Sequence, residues 1–229
     1  MTMSSAAVEV QGISRRFGRR WALRGISFAV MPGEVVGILG HNGSGKSTLL
    51  RVISTALRPT LGRGAVFGHD LLRSPDAVRG MVGFLAHSPG NYDDLTAREN
   101  LRFAAVMSGL PVRDLDATLS RVGLASVADE RTRGFSAGMQ RRLALGRLLL
   151  CRPRLLLLDE PFNNFDAEGV ALLHTVIEET RARGGSALVV LHDRRQAEDV
   201  LDRAIQLAQG ALLSEEGARA PVRHAAWSA

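Results

Sequence analysis

The 229-residue sequence has a single cysteine, a single lysine and no apolar run long enough to cross a bilayer. Cys151 alone cannot form a disulfide within the chain, which fits a reducing cytoplasm. The longest apolar runs, at 155–158 and 187–191, have the length of strands, whereas a membrane-spanning helix needs roughly 20 residues. The N-terminal sequence MTMSSAAVEVQ lacks a basic segment followed by an apolar one, so we expect no secretory signal. Any role at a membrane is therefore expected to require a partner.

Aromatic residues are also scarce, at 5% of the chain, and no long block of like charges occurs. The net charge of +6 is compatible with nucleic-acid binding, but the basic residues are spread along the chain and few aromatic side chains accompany them. We therefore predict no nucleic-acid partner. With 45% hydrophobic and 23% charged residues, the chain has the composition of a folded globular domain.

The scarcity of lysine singles out one position. Of the 29 basic residues, 28 are arginine and one, Lys46, is lysine. The lysine ammonium is a compact point charge on a thin stem, and it can enter a tight ring of backbone amides that would exclude a planar guanidinium. Lys46 is therefore predicted to mark a binding site, independently of any motif.

Hydrophobic periodicity predicts an α/β fold interrupted by a helical insert. Strands are predicted at 8–17, 24–30, 34–39, 64–67, 81–85, 155–158 and 187–191, and a closing hairpin at 204–213. Helices are predicted at 47–57, 97–107, 114–122, 137–150, 167–183 and 196–201. These elements predict one domain at 1–217, with a core at about 1–87 and 152–217, a helical subdomain at about 88–151 and a flexible tail at 218–229.

A phosphate-binding loop is predicted between the apolar strand at 34–39 and the helix that follows it. The loop matches the pattern G-x-x-x-x-G-K-[ST] with Gly40, His41, Asn42, Gly43, Ser44, Gly45, Lys46 and Ser47, and we assign the next residue, Thr48, to the same site. Its glycines allow successive N–H groups to turn toward a phosphate, and the helix dipole favours an anion. We expect Lys46 to reach the β- and γ-phosphates of ATP and Ser47 to bind Mg²⁺. The alternative, a glycine-rich surface turn, is disfavoured by the flanking strand and helix.

Two carboxylates follow the buried strand at 155–158. Asp159 at the strand end is predicted to lie near Mg²⁺ and to hold it directly or through water. Glu160, one residue further on, is predicted to point in a different direction and to face the attacking water as a general base. Acidic residues often end strands, so this pair is informative because it accompanies the phosphate-binding loop.

These residues, with further motifs in the same order, resemble the ATP-binding subunits of ABC transporters over nearly the whole chain. The segment 135–140, FSAGMQ, resembles the signature loop LSGGQ, with Ser136 and Gly138 matching and Ala137 and Met139 departing from it. The resemblance implies that Ser136 and Gly138 bind the γ-phosphate held by an opposite subunit. The residues themselves predict a serine N-cap with free helical N–H groups that an anion could use.

Three other positions extend the resemblance. The segment 163–166, NNFD, looks like the D-loop, and His192 follows a strand where the family has its switch histidine, which contacts the γ-phosphate and positions water. Phe17 occupies the place of the family's adenine-stacking aromatic, usually Tyr, so stacking is expected without the hydroxyl.

His87 is the informative departure, because the family normally has Gln at this point, near Mg²⁺ and the membrane partner. Imidazole is a poorer ligand for Mg²⁺, so His87 is expected to act at the metal through water or on a phosphate, with a silent surface histidine as the alternative. Together with the segment 159–162, DEPF, this His is similar to the ATPase subunit of haem exporters used in cytochrome c maturation. Other bacterial exporters, of drugs, lipids or polysaccharides, share most of this pattern.

The resemblance implies a P-loop NTPase (RecA-like) core with an N-terminal antiparallel β subdomain and an inserted helical subdomain. It implies ATP and Mg²⁺ as cofactors, a second nucleotide-binding subunit in a homodimer or heterodimer, and transmembrane permease subunits as partners. The expected location is the cytoplasmic face of the plasma membrane. Catalysis is assigned to Lys46, Glu160 and His192.

Three rival functions remain open at this point. A non-transport ABC-type ATPase would carry a long coiled-coil insertion or a second ATPase domain, and neither is visible in this sequence. A P-loop GTPase or kinase is disfavoured by the segment 136–138 and by Glu160 directly after Asp159. A regulatory module without catalysis is disfavoured by the retention of Lys46 and His192.

Overall fold

The computed structural model describes residues 6–217. The strands β1 to β10 are Val8–Phe17, Arg20–Val30, Val35–Leu39, Leu61–Val66, His69–Asp70, Val82–Leu85, Leu155–Asp159, Ser186–Val190, Arg203–Ala208 and Ala211–Gly217. The helices α1 to α6 are Lys46–Ile53, Pro75–Met81, Ala97–Met107, Leu115–Arg121, Ala137–Cys151 and Ala167–Ala182. Within this range no helix is both long enough and apolar enough to span a membrane. The predicted flexible tail at 218–229 lies outside the described residues.

The strands form two sheets. The first is antiparallel, in the order β2-β1-β4-β5, and its β1–β2 hairpin pairs Val8 with Val30. The second has the order β10-β9-β3-β8-β7-β6, in which β10 is antiparallel to its neighbour and the other pairs are parallel. The predicted α/β class and the N-terminal antiparallel sheet are confirmed.

The parallel strands are apolar on both faces because both faces are covered. In β7, Leu155 and Leu157 pack into one apolar cluster with α1 and the antiparallel sheet. The alternate residues, Leu156 and Leu158, pack into a second cluster with α5 and α6. This two-residue period explains why a continuous leucine run forms a strand rather than a helix here.

Strand order brings the sites predicted from the sequence together. β3, β8, β7 and β6 are neighbours and run in the same direction, so their carboxyl ends lie along one edge of the sheet. The loop containing Lys46 follows β3, His192 follows β8, Glu160 follows β7 and His87 follows β6. The carboxyl edge of a parallel sheet is where α/β folds bind ligands.

The helices between β6 and β7 pack on one another and on the sheet. Leu101 of α3, Leu119 of α4 and Leu143 of α5 lie in a third buried cluster. Thr96 begins α3 with a capping box, since its hydroxyl accepts from the Glu99 N–H while the Glu99 carboxylate accepts from the Thr96 N–H. This packing gives α5, the helix after the signature-like segment, a fixed position beside β6 and β7.

Several element bounds differ from the sequence-based predictions. The helix α2 at Pro75–Met81 was not predicted, because its seven residues are too short for a clear helical period. The predicted helix at 196–201 is instead a 3₁₀ turn at Arg194–Ala197, and α1 ends at Ile53 rather than at 57. β2 begins at Arg20, because pairing with β1 extends the strand through its polar start.

A buried ion pair fastens β9 to the beginning of β3. Arg203 donates to Glu34 at 2.6 Å, and the side chains are 9% and 2% exposed. We expect Arg203→Met to lower the free energy of unfolding by about 3–5 kcal/mol, because it leaves a buried carboxylate without its partner. Urea unfolding followed by circular dichroism measures this change. Arg79→Met, which removes the exposed pair with Asp76, is the matched control and should change stability little.

Candidate functional site

A cavity of about 370 Å³ lies at the carboxyl ends of β3 and β7. Its lining includes eight of the residues assigned from the sequence, namely Phe17, Asn42, Gly43, Gly45, Lys46, Ser47, Thr48 and Glu160. Arg20 and Ala22 of β2 complete the wall. The loop after β3 therefore faces the first residue after β7 across one cavity, as the motif arrangement predicts.

The remaining loop residues lie at the back of this cavity. Gly40 and His41 direct their carbonyls at the Lys46 ammonium, while His41 and Ser44 line an adjoining cleft of about 400 Å³. At two of the glycines a side chain would collide with backbone atoms. A Cβ on Gly40 would lie 2.2 Å from the Leu207 oxygen, and one on Gly45 would lie 2.6 Å from the Ala22 oxygen. Both also have positive φ, of 146° and 107°.

Lys46 begins α1 and is buried, with its ammonium held inside the loop. It donates to the carbonyl oxygens of Gly40 at 2.5 Å and His41 at 3.1 Å. Burial lowers the pKa of Lys46, while the nearby charges of Glu160 and Asp159 raise it. The ammonium therefore has loop carbonyls as its hydrogen-bond partners and two carboxylates in its vicinity.

Asp159 and Ser47 offer the oxygen atoms that Mg²⁺ prefers. The Ser47 hydroxyl donates to Oδ1 of Asp159 at 3.1 Å, which joins the first turn of α1 to the end of β7. Burial raises the pKa of Asp159, and the Ser47 hydrogen bond opposes that shift. The described residues contain no group of three or more His, Cys, Asp or Glu side chains able to hold a metal ion. One carboxylate and one hydroxyl suit Mg²⁺ that is also bound by substrate phosphates.

Glu160 makes polar contacts with three side chains. His192 Nε2 lies 2.7 Å from its Oε1, while His87 Nδ1 lies 3.2 Å and Asn163 Nδ2 3.0 Å from its Oε2. The backbone of Glu160 has φ of 50°, a left-handed conformation that costs a non-glycine residue about 1–2 kcal/mol. This turn of the chain directs Glu160 away from the line of β7 and toward the cavity, whereas Asp159 keeps the strand conformation.

His87 is the predicted metal-site residue whose surroundings could not be inferred from the sequence. Its side chain is 68% exposed, and its Nδ1 faces the carboxylate of Glu160. The position thus differs from a silent surface histidine by one specific polar contact. A role of His87 at the metal stays a prediction, whereas its contact with Glu160 is part of the observed geometry.

Ser136 and Gly138 do not line the cavity that contains Lys46. Ser136 is the exposed N-cap of α5 and accepts a hydrogen bond from the Met139 N–H at 3.2 Å. Gly138 packs near the Asn164 backbone, where a Cβ would lie 3.2 Å from the carbonyl oxygen. Arg142 joins the same region to Asp166 at 2.6 Å. The signature-like segment is therefore exposed at Ser136 and lies against the segment 163–166.

The ABC transporter family model matches residues 23–163. The chain belongs to the ABC transporter family. It is an ATP-binding subunit, and the predicted P-loop NTPase core is confirmed by its likeness to a solved ATP-binding subunit of an ABC transporter. That structure shares 28% sequence identity with it at a TM-score of 0.86, over 92% of this chain and 90% of the other.

Two relatives of this ABC subunit have names that indicate different functions. It is 39% identical over 206 residues to cytochrome c biogenesis ATP-binding export protein CcmA 2 of Cupriavidus metallidurans, covering 88% of this chain and 97% of that protein. It is 35% identical over 217 residues to daunorubicin resistance ATP-binding protein DrrA3 of Streptomyces coeruleorubidus, covering 93% of this chain and 69% of that protein.

Sequence reasoning missed two side chains of this ABC site and one contact of a residue in the D-loop-like segment 163–166. Asn163 contacts Glu160, and its place three residues after that carboxylate was the available signal. Arg20 lines the cavity from β2, and no motif pointed to it. Arg141 is buried against the carbonyls of His87 and Glu160, and among 28 arginines nothing in the sequence distinguished it.

Proposed function

We propose that this ABC subunit hydrolyses ATP at the Lys46 cavity and uses the reaction to drive transport through membrane-spanning partners. The observation that carries the proposal is the position of Glu160, which lines the same cavity as Lys46 and is held 2.7 Å from His192. A carboxylate beside a phosphate-binding loop can take the proton of a water molecule that attacks the terminal phosphate. His192 orients Glu160 through the contact of its Nε2 with Oε1 of that carboxylate.

ATP binding follows from the lining of the cavity. We assign the phosphates to Lys46 and to the N–H groups of residues 45–48, at the N-terminus of α1, where the dipole adds positive potential. The adenine stacks on Phe17, which is 47% exposed. Arg15 covers one face of that ring, with its guanidinium carbon 4.7 Å from the centroid, and leaves the other face for the base.

Ser47 and Asp159 would hold Mg²⁺ together with phosphate oxygens of ATP. The ion would neutralise negative charge on the β- and γ-phosphates. Imidazole suits this cation poorly, so we assign His87 to the orientation of Glu160.

His87→Ala is expected to lower kcat about tenfold, about 1.4 kcal/mol in activation free energy, because the polar contact that orients Glu160 is lost. His87→Gln should keep kcat within about threefold, because its amide N–H can donate to the Glu160 carboxylate in place of the imidazole. Phosphate release at saturating ATP measures both variants. His69→Ala, at an exposed histidine on β5, is the control. Equal losses in His87→Gln and His87→Ala would show that the imidazole itself is required.

A second nucleotide-binding subunit completes the proposed site. Ser136 and Gly138 are outside the cavity of their own chain, at the exposed N-terminus of the 15-residue helix α5. Unpaired N–H groups at such a terminus attract a phosphate. We therefore propose that two subunits enclose two ATP molecules, each bound by the loop of one chain and by Ser136 of the other. Hydrolysis then allows the pair to open.

The membrane partner is proposed to dock beside His87. Four exposed apolar side chains lie on α3 and the preceding segment: Tyr92, Phe103, Val106 and Met107. Tyr92 and Phe103 contact each other edge to face, with centroids 4.8 Å apart. An apolar surface of this kind suits a helical segment of a permease. This assignment puts the subunit at the cytoplasmic face of the plasma membrane.

The proposed cargo is haem exported for cytochrome c maturation. Its support is the 39% identity to a cytochrome c biogenesis export protein that the chain covers almost completely, together with His87. Export of another substrate, such as a drug, is the second candidate, and the daunorubicin resistance relative favours it.

Gene deletion in the organism that encodes the chain tests the cargo. Haem staining of membrane proteins should show loss of c-type cytochromes, restored by the wild-type gene and not by a Lys46→Ala gene. Unchanged cytochromes together with increased sensitivity to an exported drug would favour the second candidate. ATP-dependent phosphate release by the purified chain tests hydrolysis separately from cargo.

A further inference from the structure

Arg141, in the second turn of α5, is a buried arginine whose hydrogen-bond acceptors are all backbone carbonyls. The residue is 1% exposed, and burial lowers its pKa, an effect opposed by the charges of Asp159 and Glu160. A guanidinium has five N–H donors. In Arg141 these five donors meet the carbonyl oxygens of Ala86, His87, Asp159, Glu160 and Pro161.

The five carbonyls belong to two chain segments, one at the end of β6 and one at the end of β7. β6 and β7 pair as far as Leu85 and Leu158; β6 ends there, and β7 ends one residue later, at Asp159. Arg141 donates from one nitrogen to Ala86 and His87 after β6, and from the other two to residues 159–161 at the end of β7. The planar guanidinium, which belongs to a residue of α5, thus connects the ends of β6 and β7.

The joined segments carry His87 and Glu160, and of these two side chains Glu160 lines the Lys46 cavity. His87 Nδ1 lies 3.2 Å from Glu160 Oε2, a contact whose length depends on the separation of the two backbones. We infer that Arg141 is a positioning residue, which sets the distance between His87 and Glu160 and so holds the general base in its working orientation. This inference rests on the proposed hydrolysis of ATP at Glu160. Misplacement of a reacting group by about 1 Å can lower a rate by about 100-fold.

Arg147 provides a matched control on the same helix. It is also largely withdrawn from solvent, and burial lowers its pKa. It donates to the carbonyl oxygens of Pro89 and Gly90, in the loop that follows His87, and none of its hydrogen bonds reaches the segment 159–161. Its replacement removes a partly buried guanidinium from α5 and leaves the connection between His87 and Glu160 in place.

The first test compares the kinetics of Arg141→Met and Arg147→Met. We expect Arg141→Met to lower kcat about 30- to 100-fold with the KM for ATP within about threefold, because Lys46 and Ser47 stay in place while Glu160 is displaced. Arg147→Met should keep kcat within about threefold. Arg141→Lys should fold, and its kcat should lie between those of wild type and Arg141→Met, because its ammonium has three donors and cannot span both strand ends. Circular dichroism confirms folding of each variant, and Arg141→Lys decides the outcome if Arg141→Met does not fold.

The second test observes His87 directly and needs no turnover. In a long-range proton–nitrogen correlation spectrum of protein with isotope-labelled histidine, the signals of six histidines are resolvable, and His87→Gln identifies the one from His87. Its Nδ1 signal should move in Arg141→Met toward its position in Glu160→Ala and should stay in place in Arg147→Met.

A folded Arg141→Met or Arg141→Lys protein with wild-type kcat and an unmoved His87 signal would overturn the inference, while leaving the proposed hydrolysis intact. A wild-type chain without ATPase activity would refute the proposed hydrolysis instead. In that case the His87 signal would still decide whether Arg141 sets its contact with Glu160.

Discussion

Glu160→Gln is expected to lower ATP turnover by about 10²- to 10⁴-fold, the range that a positioned general base contributes. The amide has the size of the carboxylate and can keep a contact with His192, now 2.7 Å from Glu160 Oε1, but it cannot accept a proton from water. ATP should still bind, since Lys46 and Ser47 are untouched. The variant should therefore accumulate as an ATP-bound dimer.

Two measurements check this expectation. Phosphate release gives the turnover, and size-exclusion chromatography with and without ATP gives the oligomeric state. Glu178→Gln, on the exposed part of α6, is the control for the loss of one carboxylate and should behave as wild type. Undiminished turnover in Glu160→Gln would remove Glu160 from the role of base, and loss of ATP binding would show that its charge supports the phosphate loop instead.

Lys46→Ala is expected to weaken ATP binding about 100-fold. The ammonium would make charge-assisted hydrogen bonds to phosphates, worth about 1.5–3 kcal/mol, and its loss leaves the carbonyls of Gly40 and His41 without their donor. Lys46→Arg should not restore binding, because a planar guanidinium does not fit inside the loop. Titration calorimetry with Mg·ATP measures the dissociation constants of both variants.

The composition of the chain offers an independent check on Lys46. Because no other lysine is present, acylation of an ε-amine reports on this residue alone. Burial lowers the pKa of Lys46, which favours its neutral, reactive form, and bound ATP should protect it. Mass spectrometry of the modified peptide gives the extent of protection. Equal labelling with and without ATP, or full binding by Lys46→Ala, would contradict a phosphate-binding role.

Local motifs were predictable because consecutive residues form them. The ring around the Lys46 ammonium comes from the residues just before it, and Asp159 follows its strand directly. The helix start at Ser136 was also predictable, because the hydroxyl of an N-cap serine accepts a hydrogen bond from the N–H group three residues later. The short helix α2 was missed because seven residues give too little periodicity.

The contacts of Glu160 could not be predicted in the same way. Asn163 contacts the carboxylate from three residues along the same loop, but His87 and His192 reach it from the ends of two other strands. The order in which those strands pair cannot be derived from their spacing in the sequence. The role of Arg141 was hidden for a related reason. Its acceptors are backbone carbonyls, which every residue carries, so no residue type could mark them.

The sequence by itself determined the α/β class, the phosphate-binding loop with its lysine, and the succession of motifs typical of an ABC ATP-binding subunit. Each of these is encoded by neighbouring residues or by their order along the chain. Tertiary structure alone decided that His87 faces Glu160 and that Arg141 ties the ends of β6 and β7 together. The physical reason is that parallel pairing brings together strand ends that are far apart in the sequence, and the resulting distances depend on the packing of α5 against them.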